Sequence, residues 1–372
     1  MTKKMHVALF FGGNSSEHDV SKRSAHNIYD AMDKDKYDVS LFLMTKEGYL
    51  LSDTDSHRVF DGEDEDAVVK SVMPTVDASD PLANIANLGK IKDVDVFFPV
   101  IHGNLGEDGT IQGLFRLLQK PWVGSGILES AMAYDKDITK KMLDLYGVQN
   151  TKYVLLTPDN EGDYSYEKLA AQLGTRMFIK PANQGSSVGI HEVNNAEEYK
   201  DSLADAFRYD YKVLVEEAIQ GPQELEISIL GNEHPIASKL GAIRVPENDE
   251  FYTYENKFVD ASEVHFDIPV DVSQKLADRI TEMALTAYKG LGLKGMARID
   301  FLVSKDDEPY LGEINTLPGF TNISLYPQLW NASGITYTEL IDRLIELAIA
   351  EFNRRKQIHH DFTPLGKEKL SK

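Results

Sequence analysis

The chain has 372 residues, of which 42% are hydrophobic and 27% charged, the balance of a globular protein with room for two or three domains. The net charge of −21 excludes a basic nucleic-acid-binding surface over the whole molecule, and no apolar run approaches the length that spans a membrane. The absence of cysteine excludes disulfides, thiolate metal sites and cysteine nucleophiles. Because the N-terminal apolar run is also too short for a secretory signal, we expect a cytoplasmic protein without nucleic-acid or membrane partners.

The first part of the chain alternates strand-like and helix-like patterns. The predicted elements are a strand at 6–11, a helix at 17–32, strands at 37–44 and 94–99, and a helix that ends near 119. Residues 45–90 are polar and are predicted to be irregular. Strands separated by helices indicate βαβ units, so we expect this part to form a parallel sheet.

The rest of the chain carries further helices and strands. Helices are predicted at 136–146, 165–173, 195–208 and 272–289, and from a capping box that begins at Thr336 to about 352. Strands are predicted at 177–180, 188–192, 212–217, 225–230 and 235–240, the last two antiparallel. These patterns predict an α/β protein with added antiparallel strands.

Two apolar runs near the C-terminus carry polar residues at every second position. Arg298 and Asp300 alternate with apolar residues in the first run, and Glu313 and Asn315 do so in the second. Since successive side chains of a strand point to opposite faces, each polar pair lies on one face of its strand. Residues 304–309 form a turn-like cluster between the runs, which predicts a hairpin.

The polar face of this hairpin indicates a metal site. If Asp306 and Asp307 form a tight turn, counting back from it places Asp300 opposite Glu313. The same count places Arg298 opposite Asn315. Two facing carboxylates repel each other, and Mg²⁺, which prefers carboxylate and amide oxygens, removes that conflict. The alternative is a solvated sheet face that carries scattered charge.

A loop rich in glycine and serine follows the strand that ends at Lys180. Residues 185–189 match the nucleophile elbow of hydrolases, which would make Ser187 a nucleophile. That elbow needs a helix after it, whereas the residues that follow resemble a strand. Backbone N–H groups in such a loop form an anion-binding nest, so a phosphate-covering loop is the better interpretation, with a plain hairpin turn as the alternative.

Other stretches carry less information. Residues 290–295 match a dinucleotide-binding pattern in the wrong context and are interpreted as a helix stop and a turn. The acidic run 61–66 is interpreted as a solvated loop rather than a cation site. Glu17, at a helix start, either stabilises the first turn or binds a ligand's ammonium. His102 taken alone would be interpreted as a structural histidine, but the glycines around it favour a close approach of the backbone to a ligand.

Taken together, these stretches resemble the D-alanine–D-alanine ligase family of the ATP-grasp superfamily. The matching segments extend over nearly the whole chain and lie at 12–21, 102–109, 180–181, 185–189, 254–258, 298–300 and 313–319. The resemblance implies a mixed α/β ATP-grasp fold with ATP held between the central and C-terminal domains, and a homodimer. The implied domains are 1–134 for substrate binding, 135–223 as the central domain, and 224–372 with the metal site and a mobile loop.

The resemblance also implies roles for individual residues. Those implied for ATP binding are Lys136, Lys180, Ser186, Ser187, Glu216, Glu217, Ala218, Ile219, Glu224 and Lys257. Those implied to hold two Mg²⁺ ions, with Mn²⁺ as an alternative, are Asp300, Glu313 and Asn315. Those implied for substrate binding are Glu17, His102, Phe258, Arg298, Ser324 and Leu325. Those implied for catalysis are Glu17, Ser186, Lys257, Arg298 and Gly319, the last two as an oxyanion hole.

Phe258 is where the chain departs from the dipeptide-forming members, which usually carry tyrosine there. This change resembles the branch that makes D-alanyl-D-lactate, a peptidoglycan precursor associated with intrinsic vancomycin resistance. We therefore expect ATP-dependent ligation of D-alanine to D-lactate, with ligation of two D-alanines as the alternative. The alternatives from other classes are a serine hydrolase that uses Ser187 and a non-catalytic nucleotide-binding module.

Overall fold

The computed structural model describes residues 3–73, 76, 80, 82–91, 93–244, 265–359 and 361. Its helices are α1 (His18–Ala31), α2 (Asp53–Phe60), α3 (Glu65–Val72), α4 (Thr110–Leu117), α5 (Ile127–Tyr134), α6 (Lys136–Leu145), α7 (Tyr166–Leu173), α8 (Ala196–Ala206), α9 (Gln274–Gly290), α10 (Leu325–Ala332) and α11 (Tyr337–Arg355). Its strands are β1 (Met5–Gly12), β2 (Tyr37–Met44), β3 (Val96–Pro99), β4 (Tyr153–Leu156), β5 (Met177–Pro181), β6 (His191–Val193), β7 (Val213–Glu217), β8 (Gln223–Leu230), β9 (Ile236–Arg244), β10 (His265–Asp267), β11 (Met296–Val303) and β12 (Pro309–Asn315). In this described part of the chain, none of the helices combines the length and the apolar character needed to cross a membrane.

The strands form three sheets that follow one another along the chain. The first has the order β2-β1-β3 and is parallel, which confirms the predicted parallel sheet. The second, β4-β7-β5-β6, is antiparallel. The third, β10-β9-β8-β11-β12, is also antiparallel and contains the predicted hairpin as β11 and β12. Because β8 and β11 have neighbours on both sides, they hold their polar side chains on a well-supported surface.

The C-terminal helix returns to the first sheet. Helix α11 begins at Thr336, whose hydroxyl accepts a hydrogen bond from the Glu339 N–H, as the capping pattern predicted. Its buried leucines and isoleucines pack in the same core as the alternate side chains Val7 and Leu9 of β1. Burying each such side chain stabilises the fold by about 1.5–3 kcal/mol. Phe320 belongs to this core, so the same packing also fixes the segment that leads into α10.

The predicted facing pairs of the hairpin are confirmed. Asp300 lies opposite Glu313, and Arg298 lies opposite Asn315. The alternation of polar and apolar residues on β11 is also reflected in burial, since Ile299 and Phe301 are buried on the other face. The hairpin therefore presents two carboxylates, a guanidinium and an amide on one surface.

The turn of this hairpin, however, differs from the predicted two-residue turn. The Ser304 N–H donates to the Glu308 carbonyl at 2.9 Å, which encloses a three-residue loop in which Asp307 has a φ of +58°. A β-bulge at Gly312 then shifts the register by one residue between the turn and Asp300. The predicted pairing is right because these two differences cancel.

The prediction that residues 45–90 are irregular is wrong. They contain α2, α3 and a 3₁₀ helix at Ala83–Lys90. Side chains cap both α-helices, since Ser52 accepts from the Asp55 N–H and Asp64 from the Ala67 N–H. Each of these helices buries only one or two residues, so neither shows the apolar periodicity by which longer helices are predicted.

Smaller differences and confirmations concern loops. The strand predicted at 188–192 begins only at His191, and the sequence did not reveal α5, α10, β4 and β10. Residues 290–295 form the predicted helix stop and turn, with positive φ at Gly292 and Gly295. The acidic run was predicted to be a solvated loop, but α3 begins within it at Glu65. Glu63 pairs with Arg58, and Glu65 pairs with Lys22 of α1, so these acids form ion pairs within the protein.

Candidate active site

A cleft of about 1170 Å³ collects most of the residues that the sequence singled out. Those that line it are Glu17, His102, Lys136, Lys180, Ser186, Ser187, Glu216, Glu217, Ile219, Glu224, Arg298, Asp300, Glu313, Asn315, Gly319, Ser324 and Leu325. Ala218 is not among the lining residues. Lys257 and Phe258 lie outside the described residues.

The carboxylate of Glu17 lies where two glycine-containing loops meet. A Cβ atom added to Gly103 would lie 3.6 Å from Oε2 of Glu17, and one added to Gly185 would lie 3.4 Å from it. Within the part of the chain that the structure describes, no donor hydrogen-bonds to this carboxylate. A half-buried carboxylate with free acceptor capacity suits the ammonium group of a small substrate.

His102 is buried, and both of its ring nitrogens bind protein groups. The Nδ1–H donates to the Leu317 carbonyl at 2.8 Å, and Nε2 lies 3.2 Å from the Ser24 hydroxyl. Burial lowers the pKa of His102 and outweighs the opposing charge of Glu17, so the ring is neutral at pH 7. The Ser24 hydroxyl also accepts from the Phe320 N–H at 3.1 Å. This chain of hydrogen bonds holds the segment around Leu317 close to α1.

Glu107 also binds the segment around Leu317, through its carboxylate. Its Oε1 accepts from the Gly103 N–H at 3.0 Å, and its Oε2 accepts from the N–H groups of Thr316 and Leu317 at 3.1 and 3.2 Å. Burial raises the pKa of Glu107 to about 7, and the charge of Glu17 adds to the rise. The carboxylate therefore joins the loop that carries His102 to the segment after β12. The prediction from sequence did not include it.

Replacing Glu107 by glutamine is expected to lower the free energy of unfolding by about 1–3 kcal/mol, because a buried backbone N–H loses its acceptor. Amide hydrogen exchange at Thr316 and Leu317 is expected to become faster. Urea denaturation and exchange mass spectrometry measure both effects. Asp108→Asn is the matched control, because Asp108 accepts two N–H groups within its own loop. Unchanged exchange at Thr316 and Leu317 in Glu107→Gln would contradict this role.

The loop at 185–189 has an unusual backbone. Ser186, Ser187 and Gly189 have φ values of +52°, +60° and +67°. Left-handed backbone at a serine is strained by about 1–3 kcal/mol, and such strain is typical of ligand-binding loops. The loop connects the antiparallel strands β5 and β6, whereas a hydrolase elbow needs a helix after it. The alternative with Ser187 as a nucleophile therefore has no structural basis.

Two lysines converge on the buried carboxylate of Glu216. Lys180 Nζ lies 2.9 Å from Oε2, and Lys140 Nζ lies 3.4 Å from Oε1. The Thr151 hydroxyl donates to Oε2 at 3.0 Å. Burial alone would raise the pKa of Glu216, but the two lysines and the hydroxyl outweigh it and lower the pKa to about 2. The Glu216 side chain thus orients Lys180 at the wall of the cleft. Lys140 was not among the site residues predicted from the sequence.

The low pKa of Glu216 predicts a pH-dependent contribution to stability. Such a carboxyl stabilises the fold above the pKa of the unfolded chain, about 4.3, and this contribution is lost as the pH falls towards about 2. The difference in free energy of unfolding between the wild type and Glu216→Gln is therefore expected to be largest at neutral pH and to shrink below about pH 4.5. Chemical denaturation across this range measures it. A difference independent of pH would be inconsistent with the low pKa.

The predicted metal ligands lie together in the lining of the cleft. Asp300 and Glu313 face each other, and Asn315 Nδ2 donates to Asp300 Oδ2 at 3.1 Å. Lys136 Nζ lies 3.9 Å from Glu313 Oε2 and also donates to the Gln184 carbonyl. This set of hard oxygen donors fits Mg²⁺. Among the described residues, no group of three or more His, Cys, Asp or Glu side chains forms a metal site by itself, so phosphate and water would have to complete the coordination.

Arg298 lies beside these carboxylates, with 21% of its side chain exposed. Its Nε and Nη2 donate to the two oxygens of Asp300 at 2.8 and 2.7 Å. Its Nε also lies 2.8 Å from Oε2 of Glu226, a residue of β8 directly opposite Asp300 that was missed from the sequence. Burial would lower the pKa of Arg298, but the charges of Asp300 and Glu226 outweigh it and raise the pKa above its ordinary value. The guanidinium therefore stays charged in the cleft.

A tight turn closes the end of the cleft next to α10. The Ser324 hydroxyl accepts from the Thr321 N–H at 2.9 Å. A Cβ atom at position 319 would lie 2.6 Å from Ser324 Oγ, so a larger residue there would have to displace this hydroxyl. Gly319 thus allows its backbone to approach the serine hydroxyl closely.

Two family models match most of the chain. The model described as the D-ala D-ala ligase N-terminus matches residues 6–125, and the one described as the D-ala D-ala ligase C-terminus matches residues 142–346. The chain belongs to the D-alanine–D-alanine ligase family. The family is an ATP-grasp ligase family that uses ATP and Mg²⁺, and the ATP-grasp fold predicted from the resemblance is confirmed.

Individual members of the ligase family are similar over almost their full length. The D-alanine–D-alanine ligase of Levilactobacillus brevis is 68% identical, over 97% of this chain and 95% of that protein. The structure of the D-alanine–D-alanine ligase from Coxiella burnetii has a TM-score of 0.78 at 33% identity, with 95% of this chain and 98% of that chain covered. The VanG D-Ala:D-Ser ligase from Enterococcus faecalis has a TM-score of 0.75 at 30% identity, with 93% and 100% covered. These names do not support the expected placement in the D-lactate branch.

Proposed function

We propose that the protein is an ATP- and Mg²⁺-dependent ligase that joins two molecules of D-alanine and releases ADP and phosphate. The supporting observation is that one cleft holds the free Glu17 carboxylate, the cleft lysines Lys136 and Lys180, and the facing pair Asp300–Glu313. The similarity to named D-alanine–D-alanine ligases favours the dipeptide over D-alanyl-D-lactate, which we had expected from Phe258. The product would serve peptidoglycan synthesis.

In this proposal the second and third sheets hold ATP between them. Lys136 and Lys180 contact the phosphates, and the N–H groups around Ser186 and Ser187 cover them. The carboxylates of Glu216 and Glu217 already have protein partners, so the backbone of 216–219, including Ala218, would line the adenine together with the Ile219 side chain. Glu224 would bind the ribose hydroxyls, and Lys257 would reach the γ-phosphate.

The divalent cations would bind at the phosphate end of the cleft. Asp300, Glu313 and Asn315 would hold two Mg²⁺ ions, with Mn²⁺ as an alternative. When bound, these ions would neutralise charge on the transferring phosphoryl group. Lys136, 3.9 Å from Glu313 Oε2, keeps a positive charge at the same end of the cleft.

The reaction would proceed in two steps. Glu17 binds the ammonium of the first D-alanine beside neutral His102, and the substrate carboxylate attacks the γ-phosphorus of ATP to give an acyl phosphate and ADP. The amine of the second D-alanine, after losing a proton, then attacks the carbonyl carbon, and phosphate leaves. Arg298 and the Gly319 N–H would stabilise the tetrahedral oxyanion, an effect of about 10²–10³ in rate per donor. Ser324 and Leu325 would hold the carboxylate of the second substrate.

A second candidate product is D-alanyl-D-lactate, which the phenylalanine at position 258 favours. An ammonium must lose a proton before it attacks, and the missing tyrosine hydroxyl removes one acceptor that would support the amine. A hydroxyl nucleophile carries no such charge. Ester formation would therefore dominate at neutral or mildly acidic pH, and dipeptide formation would rise with pH.

Mass spectrometry of products from D-alanine alone, and with D-lactate added, tests the proposal between about pH 6 and 9. Dipeptide formation that requires ATP is expected with D-alanine alone. Ester as the main product at neutral and mildly acidic pH, with dipeptide rising towards pH 9 and Phe258→Tyr shifting the product to dipeptide, would overturn the dipeptide proposal in favour of the second candidate. Activity without ATP would indicate a hydrolase, and ATP binding without ADP release would indicate a non-catalytic module. The homodimer, the cytoplasmic location and the domain boundaries after residues 134 and 223 remain predictions.

A further inference from the structure

Glu226 has no role in the proposed reaction, although its carboxylate belongs to the cleft. It lies in the central strand β8, where its neighbours Leu225 and Ile227 are fully buried. Glu226 itself is only 5% exposed. Burying a carboxylate is unfavourable unless a charged or hydrogen-bonding partner compensates. Its burial between Leu225 and Ile227 therefore calls for a specific partner.

Arg298 is a charged partner of Glu226 within the part of the chain that the structure describes. Glu226 lies opposite Asp300 across β8 and β11, and Asp300 lies opposite Glu313 across β11 and β12, so three carboxylates form a row across the sheet. Arg298 Nε lies 2.8 Å from Glu226 Oε2 and donates to Asp300 Oδ1 at 2.8 Å. The guanidinium is thus placed between two carboxylates, one on each of two strands.

The two carboxylates are not equivalent once a metal binds. Both oxygens of Asp300 accept from Arg298 in this structure, and the proposed Mg²⁺ needs an oxygen of the same carboxylate. Since a guanidinium and a divalent cation repel each other, the cation weakens the hold of Asp300 on Arg298. Glu226 is on the opposite side from Glu313 and remains available to the guanidinium.

We propose that Glu226 is a positioning residue that keeps Arg298 in the cleft when Asp300 binds a divalent cation. This inference rests on the proposed function, because it requires Asp300 to be a metal ligand. Glu226 would act through Arg298 and would touch neither ATP nor substrate. Without its charge, Arg298 would compete with Mg²⁺ for Asp300.

The test measures Mg²⁺ affinity by calorimetry in the presence of ADP, together with kcat and KM. E226Q keeps the shape of the side chain and removes its charge. We expect its Mg²⁺ affinity to fall about tenfold and its kcat to fall about 10–100-fold, with KM for D-alanine little changed. In the R298Q background, E226Q is expected to have less than a twofold further effect on Mg²⁺ affinity, because the competing guanidinium is gone.

One control and one further variant make the test decisive. E351Q removes the charge of a buried glutamate that pairs with Arg354 and Arg355 outside the cleft, and it is expected to leave Mg²⁺ affinity unchanged. If E226Q does not fold, E226D, which withdraws the carboxylate from Nε, is expected to lower Mg²⁺ affinity in the same direction. Wild-type Mg²⁺ affinity and kcat in a folded E226Q or E226D protein would overturn the proposal.

The failure of this inference can be distinguished from the failure of the proposed metal site. D300N is expected to abolish measurable Mg²⁺ binding. If D300N does so while the Glu226 variants behave like the wild type, only the positioning role is wrong. If D300N also binds Mg²⁺ normally, the metal site itself is wrong, and the positioning role fails with it.

Discussion

Replacing Asp300 by asparagine is expected to lower the rate of ATP-dependent ligation by about 10³-fold, because several kcal/mol of charge stabilisation at the phosphoryl group are lost with a carboxylate ligand. Asp300 also holds Arg298 through two hydrogen bonds, so the same substitution disturbs the proposed oxyanion hole. Steady-state assays of ADP release at saturating ATP, over a range of Mg²⁺ concentrations, measure the effect.

Asp307→Asn is the matched control for Asp300→Asn, because Asp307 lies in the exposed turn of the same hairpin. It is expected to retain wild-type activity. High Mg²⁺ is not expected to restore the Asp300 variant fully, since Arg298 then lacks one of its two carboxylate partners. Full activity of Asp300→Asn at ordinary Mg²⁺ would rule out a metal-binding role for this residue.

Replacing Lys180 by methionine is expected to raise KM for ATP by about 10–100-fold, the effect of losing a charge-assisted hydrogen bond of about 1.5–3 kcal/mol to phosphate. Lys180 Nζ lies 2.9 Å from Glu216 Oε2, and this contact holds it at the cleft wall. The pKa of Glu216 is expected to rise in the variant, because only Lys140 and the Thr151 hydroxyl then oppose the effect of burial. ATP-dependent initial rates and nucleotide calorimetry measure the loss.

Lys141→Met is the corresponding control, because Lys141 is a solvent-exposed lysine that pairs with Asp137 outside the cleft. It removes the same charge from the molecule without changing the cleft, so its KM for ATP is expected to match the wild type. An equal rise in KM for both variants would mean that Lys180 acts only through the net charge of the protein.

The hairpin shows which structural features a local sequence pattern can predict. The period of two placed Arg298 and Asp300 on one face, and this depends only on strand geometry. The turn could not be predicted in the same way, because the three-residue loop and the bulge at Gly312 depend on how the whole strand pairs with β11. The correct facing of Asp300 and Glu313 was reached through an incorrect turn.

The site residues that were not predicted from the sequence have one property in common. Glu107, Lys140 and Glu226 each act on partners that are distant in the chain or on a neighbouring strand, so no local spacing reveals them. A weaker signal was available, since Glu226 alternates with apolar residues between Glu224 and Ser228, and Glu107 lies within a glycine-rich stretch. Such alternation indicates a polar face on the strand, but only the tertiary structure identifies the partner of each charge.

The central claim is that the cleft places a substrate carboxylate next to the γ-phosphate of ATP for direct transfer. D-alanine labelled with ¹⁸O in its carboxylate tests it most directly. During turnover with ATP and Mg²⁺, the released phosphate is expected to carry one ¹⁸O atom, because the oxygen that attacks the γ-phosphorus departs with it. Phosphate that contains no ¹⁸O while dipeptide accumulates would contradict an acyl phosphate and the arrangement of the cleft that we derive from it.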